Sequence, residues 1–146
     1  MPPVRHFSQL TVWKLADEIR VETLRLTAKP AFAADPRAKR QADDAAQSAC
    51  RNIAEGFGAD THDEFARFLV IARRSLNELQ DTLRGARLAN YLSDSDLTPV
   101  RGLLKRIYPA LGGLIAHLRR TPTPPWRRHR HGTQRPGPKP HQRKAR

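Results

Sequence analysis

Cysteine is nearly absent, with Cys50 the single one in 146 residues. It cannot close an intrachain disulfide and cannot alone build a thiolate metal site, so the fold must be held by its own core or by a partner's. Long apolar runs are missing as well. The longest fall far short of the roughly 20 residues a bilayer-spanning helix needs, and the opening Met1-Pro2-Pro3-Val4-Arg5 has no apolar core of a secretory signal. Residence in the cytoplasm without membrane association is expected. Acid is missing from one whole region: no Asp or Glu follows Asp96.

What is present is basic charge. The chain holds 27 Lys and Arg against 14 Asp and Glu, a formal net charge of +13. Residues 1–96 carry all 14 acids and an equal number of basic residues, so the whole excess lies in residues 97–146. A block of one sign reads as an electrostatic footprint for a polyanion, most often nucleic acid, or as a solubilising tail. From Thr121 onward the chain is rich in proline and arginine, and Trp126 is its one large apolar residue. Such a segment cannot bury enough surface to offset chain entropy, which predicts a disordered basic tail over 121–146 behind a domain of residues 1–120.

The first 120 residues show four segments of helical periodicity and no bounded strand-like alternation. The first is expected to start at a Ser8 cap and run to about Lys29, with Leu10, Trp13, Ala16, Ile19, Thr23 and Leu26 on its apolar stripe. The second opens at Asp35-Pro36 and ends at Gly56-Phe57-Gly58, with a stripe of Ala38, Ala42, Ala45, Ala49 and Asn52. In the third, Thr61 and Glu64 form a capping box ahead of Phe65, Phe68, Leu69, Ala72, Leu76, Leu79, Leu83 and Ala86. The fourth begins near Ser93-Asp94-Ser95-Asp96 and carries Leu97, Val100, Leu104, Ile107, Leu111, Leu114 and Leu118. Pro109 inside it predicts a kink. Four amphipathic helices with short links predict an all-α, up-down-up-down four-helix bundle.

Several strings, in order, carry a resemblance: Phe7-Ser-Gln-Leu-Thr-Val-Trp13, Gln41 with Ser48, Asn52-Ile53-Ala54-Glu55-Gly56, Glu64-Phe65-Ala66-Arg67-Phe68-Leu69, and Ser75-Leu76-Asn77-Glu78-Leu79. Over about residues 7–118 the chain resembles the four-helix-bundle proteins encoded in intervening sequences of bacterial ribosomal RNA genes. That fold family in turn looks like the accessory variability determinant of diversity-generating retroelements, a basic homopentamer that binds nucleic acid and a reverse transcriptase. The resemblance implies a homopentamer here, with RNA or DNA as ligand and a reverse transcriptase as a candidate partner.

Candidate functional residues follow from helical geometry. Gln41, Ser48, Asn52 and Glu55 fall within a sector of about 60° beside the alanine stripe, placed for a structural hydrogen-bond network rather than for acid–base or metal chemistry. On the third helix Arg73, Arg84 and Arg87 share an acid-free sector with Asn77 and Gln80, free to meet phosphate, whereas Arg67 and Arg74 are spaced to pair with Asp63 and Glu78. On the fourth, Arg101, Lys105 and Arg119 line one flank and Arg120 leads into the tail. There Arg127, Arg128, Arg130, Arg135, Lys139, Arg143, Lys144 and Arg146 can contact phosphates without fixed geometry. Trp126 can stack on a base or dock on the bundle.

Other chemistry is weakly signalled. His129, His131 and His141 fit no metal-site spacing and stand among arginines, so neither a metal nor another cofactor is expected. Cys50 projects away from the alanine stripe, toward a subunit contact or solvent, and no catalytic set assembles around it. Three classes remain: a non-enzymatic oligomeric nucleic-acid-binding scaffold, a protein-only interaction module whose basic tail recruits an acidic partner, and an enzyme of unknown type. The first is favoured. Ala46, Ile71 and Leu88 lie off the main stripes, which predicts burial in a ring-forming homo-oligomer.

Overall fold

A computed structural model describes residues 3–128. In chain order its elements are a 3-10 turn at Phe7–Gln9, α1 (Thr11–Thr27), the one-turn α2 (Pro30–Ala33), α3 (Pro36–Phe57), α4 (His62–Leu88), α5 (Asp94–Arg120) and a second 3-10 turn at Pro125–Arg127. No strand occurs among the described residues. The four long helices close a ring of neighbours, α1 on α3, α3 on α4, α4 on α5 and α5 back on α1. This is the expected all-α bundle.

The helix boundaries follow from side chains that satisfy free amides. Asp35 accepts from the Ala38 amide at 3.1 Å with Pro36 opening α3, and Thr61 accepts from Glu64 at 3.1 Å ahead of α4. At α5 the reciprocal box is complete, Ser93 to the Asp96 amide at 3.0 Å and Asp96 to the Ser93 amide at 2.9 Å. The Ser93 amide, with Lys29 at 2.9 Å as second partner, holds the Asp96 carboxyl down at about 2. α4 ends in a Schellman turn: Asn90 takes the left-handed φ of 61°, and the Tyr91 amide reaches back to Ala86 O at 2.9 Å. Tyr91 then donates to Asp35 at 2.9 Å, tying the end of α4 to the start of α3.

Ser8 does not cap the first helix. Its hydroxyl lies 2.7 Å from His6 Nδ1 within the first 3-10 turn, and α1 starts later, at Thr11. The one-turn α2 had no counterpart in the periodicity; it places Phe32 fully in the core beside Tyr91.

α3 buries a wider face than one alanine stripe because it packs against both α1 and α4. Ala46, Cys50 and Ile53 join Ala42, Ala45 and Ala49 in the core. Cys50 is therefore neither at an outer surface nor in solvent as expected: it faces α1, and burial pushes its thiol up to about 11, with Asp17 adding to the rise and Arg20 opposing it. The seam with α4 is built from small residues. A Cβ on Gly56 would meet Phe65 Cδ2 and Phe68 Cβ, each at 2.8 Å, so only glycine permits this approach.

α5 runs as one helix from Asp94 to Arg120 through Pro99 and Pro109. Pro109 is exposed, as is Lys105, whose carbonyl loses its helical donor there and can turn to water. Its core stripe is Leu97, Val100, Leu104, Ile107, Leu111, Ile115 and Leu118; Ile115 replaces the expected Leu114, which is half-buried. No described helix is long and apolar enough to cross a membrane.

Candidate nucleic-acid interface

α4 and α5 lie side by side with their apolar stripes inward, which brings the flank of each stripe to a shared seam. There Tyr108 of α5 donates its hydroxyl to Asn77 Oδ1 of α4 at 2.7 Å and also lies 3.3 Å from Gln80 Oε1. Burial raises the Tyr108 pKa while neighbouring Arg73 opposes the rise, so the phenol is a neutral donor that pins the two helices. Toward the α5 N-terminus the seam opens into a groove of about 450 Å³. Leu83, Leu97, Val100 and Leu104 form its apolar lining, with Asn77, Gln80, Asp81, Arg84 and Arg101 as the polar lining.

The predicted cations separate here into three groups. Arg84, Lys105, Arg119 and Arg120 are exposed, Arg73 is half-buried, and none of these five lies within ion-pair distance of a described acid. Arg87 and Arg101, expected to be free, are instead paired. Asp94 at the start of α5 lies 3.2 Å from Arg87 Nε and 3.2 Å from Arg101 Nη1. The two guanidiniums, Arg87 first, hold the Asp94 carboxyl below the ordinary carboxylate range. For Arg87 the neutralising acid comes from another helix, which single-helix geometry cannot show, whereas for Arg101 it stands seven residues back on α5 itself.

Arg127 also departs from its expected role. It is 5% exposed and donates to the carbonyls of Gly56 at 3.3 Å and Phe57 at 2.8 Å, so it does not face phosphate. Arg128 beside it is exposed. Arg130, Arg135, Lys139, Arg143, Lys144 and Arg146 lie outside the described residues, as do His129, His131 and His141.

Arg67 and Arg74 do not form the expected pairs with Asp63 and Glu78; Arg67 instead stacks on Phe68, 5.6 Å from its ring centroid. The predicted polar network is half realised. Ser48 shares a 2.8 Å hydrogen bond with Ser75 across the α3–α4 seam, and Asn52 donates back to Ser48 O at 2.8 Å and Ser48 Oγ at 3.1 Å. Gln41 and Glu55 are exposed and take no part in it. The partner that sequence reasoning missed, Ser75, sits in the Ser-Leu-x-Glu-Leu string already singled out.

These features define a class: a bundle of four long helices with one sealed, small-residue seam and one open, cation-flanked seam. Residues 8–113 match the family model of the 23S rRNA-intervening sequence protein. That match covers well over half of the chain, which therefore belongs to this family. No curated protein matches it at significant similarity.

Proposed function

We propose that the chain is a non-enzymatic, oligomeric nucleic-acid-binding scaffold whose contact surface is the α4–α5 seam continued by the basic C-terminal segment. One observation carries the reading: the acid-free stretch after Asp96 supplies one wall of the seam, and the other wall adds Arg73 and Arg84 with no acid paired to them. A family description tied to 23S rRNA supports RNA as the ligand. The finer reading, an accessory factor to a reverse transcriptase or an rRNA-associated protein, rests on the resemblance. A neighbouring reverse-transcriptase gene favours the former; location inside a ribosomal RNA gene favours the latter.

Self-association is part of the proposal. Ala46 is buried inside the monomer and Ile71 is half-buried, which removes part of the sequence argument. Leu88 at 70% and Val21 at 54% exposure retain it, and five-fold closure follows the resemblance. Light scattering at micromolar concentration is expected to give a multiple of the monomer mass, and a monomer mass refutes the ring.

Binding is tested by its salt dependence. Full-length protein should bind RNA and DNA with little sequence preference, each phosphate contact contributing about 0.7 to 0.9 to the log–log salt slope. Truncation after Arg128 keeps every described core residue and removes six cations, so the slope should fall by up to about 5. In the truncated protein Arg73→Gln with Arg84→Gln should weaken binding further than Arg67→Gln with Arg74→Gln, because the latter pair shares its flank with Asp63, Glu78 and Asp81. Equal effects of the two pairs would misplace the surface. Absence of binding near physiological salt would leave the protein-only interaction module.

A further inference from the structure

One acid lines the groove between α4 and α5 among the cations that would meet a polyanion. Asp81 is exposed there, and none of the described ion pairs includes it, although Arg84 stands one helical turn further on. A lone carboxylate repels phosphates. A surface that read the backbone alone would gain from a neutral residue at this position, so the carboxylate asks for hydrogen-bond donors on the ligand.

The other polar groups of the lining are donors. Tyr108 donates its hydroxyl to Asn77 Oδ1 at 2.7 Å and lies 3.3 Å from Gln80 Oε1, which leaves the NH2 of each amide for a ligand, and Arg84 and Arg101 carry donors only. Residues 77, 80, 81 and 84 fall within about 100° of one another around α4, so a single wall carries the acceptor with the amide donors beside it. The groove, of about 450 Å³, has an apolar lining for a ring. That volume lies within the range of small-ligand pockets, about 300 to 1,000 Å³.

We infer that this groove seats one unpaired guanine of an RNA or DNA strand. The Watson–Crick edge of guanine carries two adjacent donors, N1–H and the N2 amino group, which match the two oxygens of Asp81. Its O6, on the same edge, accepts from the NH2 of Asn77 or Gln80. Adenine and cytosine offer a single amino group on that edge, and uracil and thymine a single ring N–H. Arg84 and Arg101 on opposite walls meet the phosphates on either side. This inference rests on the nucleic-acid reading above and narrows it to strands with a guanine left open. A guanine in a duplex has given the same edge to cytosine. The rest of the surface reads charge alone, so preference is confined to one unpaired position.

The test uses the full chain and two short strands, an oligothymidylate and the same strand with one central guanine. The guanine strand should bind about tenfold tighter. Inosine in its place, which keeps O6 and N1–H but lacks the amino group, should lose most of that gain, and a blunt duplex containing guanine should show none over an A·T duplex. Asp81→Asn, at an exposed site, should weaken the guanine strand and bind the plain strand slightly tighter, since a negative charge has left the groove. The opposite signs separate a base contact from a charge effect. The guanine seat is overturned if the native protein binds both strands alike, or if Asp81→Asn strengthens both alike. In those cases the nucleic-acid reading survives. If neither strand nor duplex binds, both fail together.

Discussion

α4 meets its two neighbours in opposite ways. Toward α3 it offers Phe65 and Phe68 to Gly56, so closely that one added methyl has no room, and Ser75 to Ser48. Toward α5 it offers Asn77, Gln80 and Arg84, and Tyr108 and Arg101 answer from the other side around a groove of about 450 Å³. One seam is closed by apolar packing and a short hydroxyl network, the other by a single phenol between charged rims. Close approach specifies the fold. Spacing by long polar side chains leaves room for something that is not part of the chain.

That contrast breaks most visibly in the packing of α3. Ile53 is fully buried, and Ile53→Ala should cost about 2 to 5 kcal/mol by denaturant unfolding, the lost transfer energy plus the cavity. Gly56→Ala adds rather than removes atoms. It should cost about 1 to 3 kcal/mol by forcing Phe65 and Phe68 aside, and a neutral result would show that the α3–α4 approach is looser than 2.8 Å contacts imply.

The open seam should respond far less. Tyr108→Phe removes the hydroxyl that links α5 to Asn77 and Gln80 while keeping the ring, and both amides remain within reach of water. The expected loss is under about 1 kcal/mol, the ordinary net value of such a bond. A loss as large as that at Gly56 would mean the two seams are alike. Nucleic-acid affinity should change little, because a neutral hydroxyl contributes nothing to counterion release.

In both seams the sequence showed what is local and hid what is not. The Asp35, Thr61 and Ser93 caps act on amides within three residues, so local spacing reveals them. Packing between helices is not local. A single stripe on α3 missed Cys50 and Ile53 because that helix has two buried neighbours and a face wider than one row. Ser75 was visible only as a letter in a string until Ser48 came within 2.8 Å of it. Arg84, Lys105, Arg119 and Arg120 are exposed, Arg73 is half-buried, and none is paired with a described acid, since a helix flank is a local property. Arg87 and Arg127 are held by groups on other elements, and Arg101 by Asp94 seven residues back on its own helix, a pair that the fourth helix's own spacing could have shown. Composition assigned residues 121–128 to a tail because they contain one large apolar residue, whereas an arginine between two phenylalanines supplied the burial.

The smallest change in stability should accompany Asp94→Asn, and it bears most directly on what the open seam is for. Asp94 is exposed and holds Arg87 and Arg101 by pairs that water and salt screen, so the thermal midpoint should hardly move. Its carboxyl is depressed in the folded state, so its stabilising contribution is present above the ordinary carboxylate pKa of about 3.9 and is lost as pH falls through the lower folded value. The substitution makes that loss permanent at neutral pH. It also frees two guanidiniums, of which Arg101 lines the groove. If the seam binds polyanions, affinity for RNA or DNA should rise and the salt slope should steepen by about 1 to 2. An acid that lowers binding while adding little to folding is what a charge-tuned interface would contain. If binding is unchanged in slope and strength, Arg87 and Arg101 point away from the ligand and the contact surface lies nearer Lys105 and Arg119.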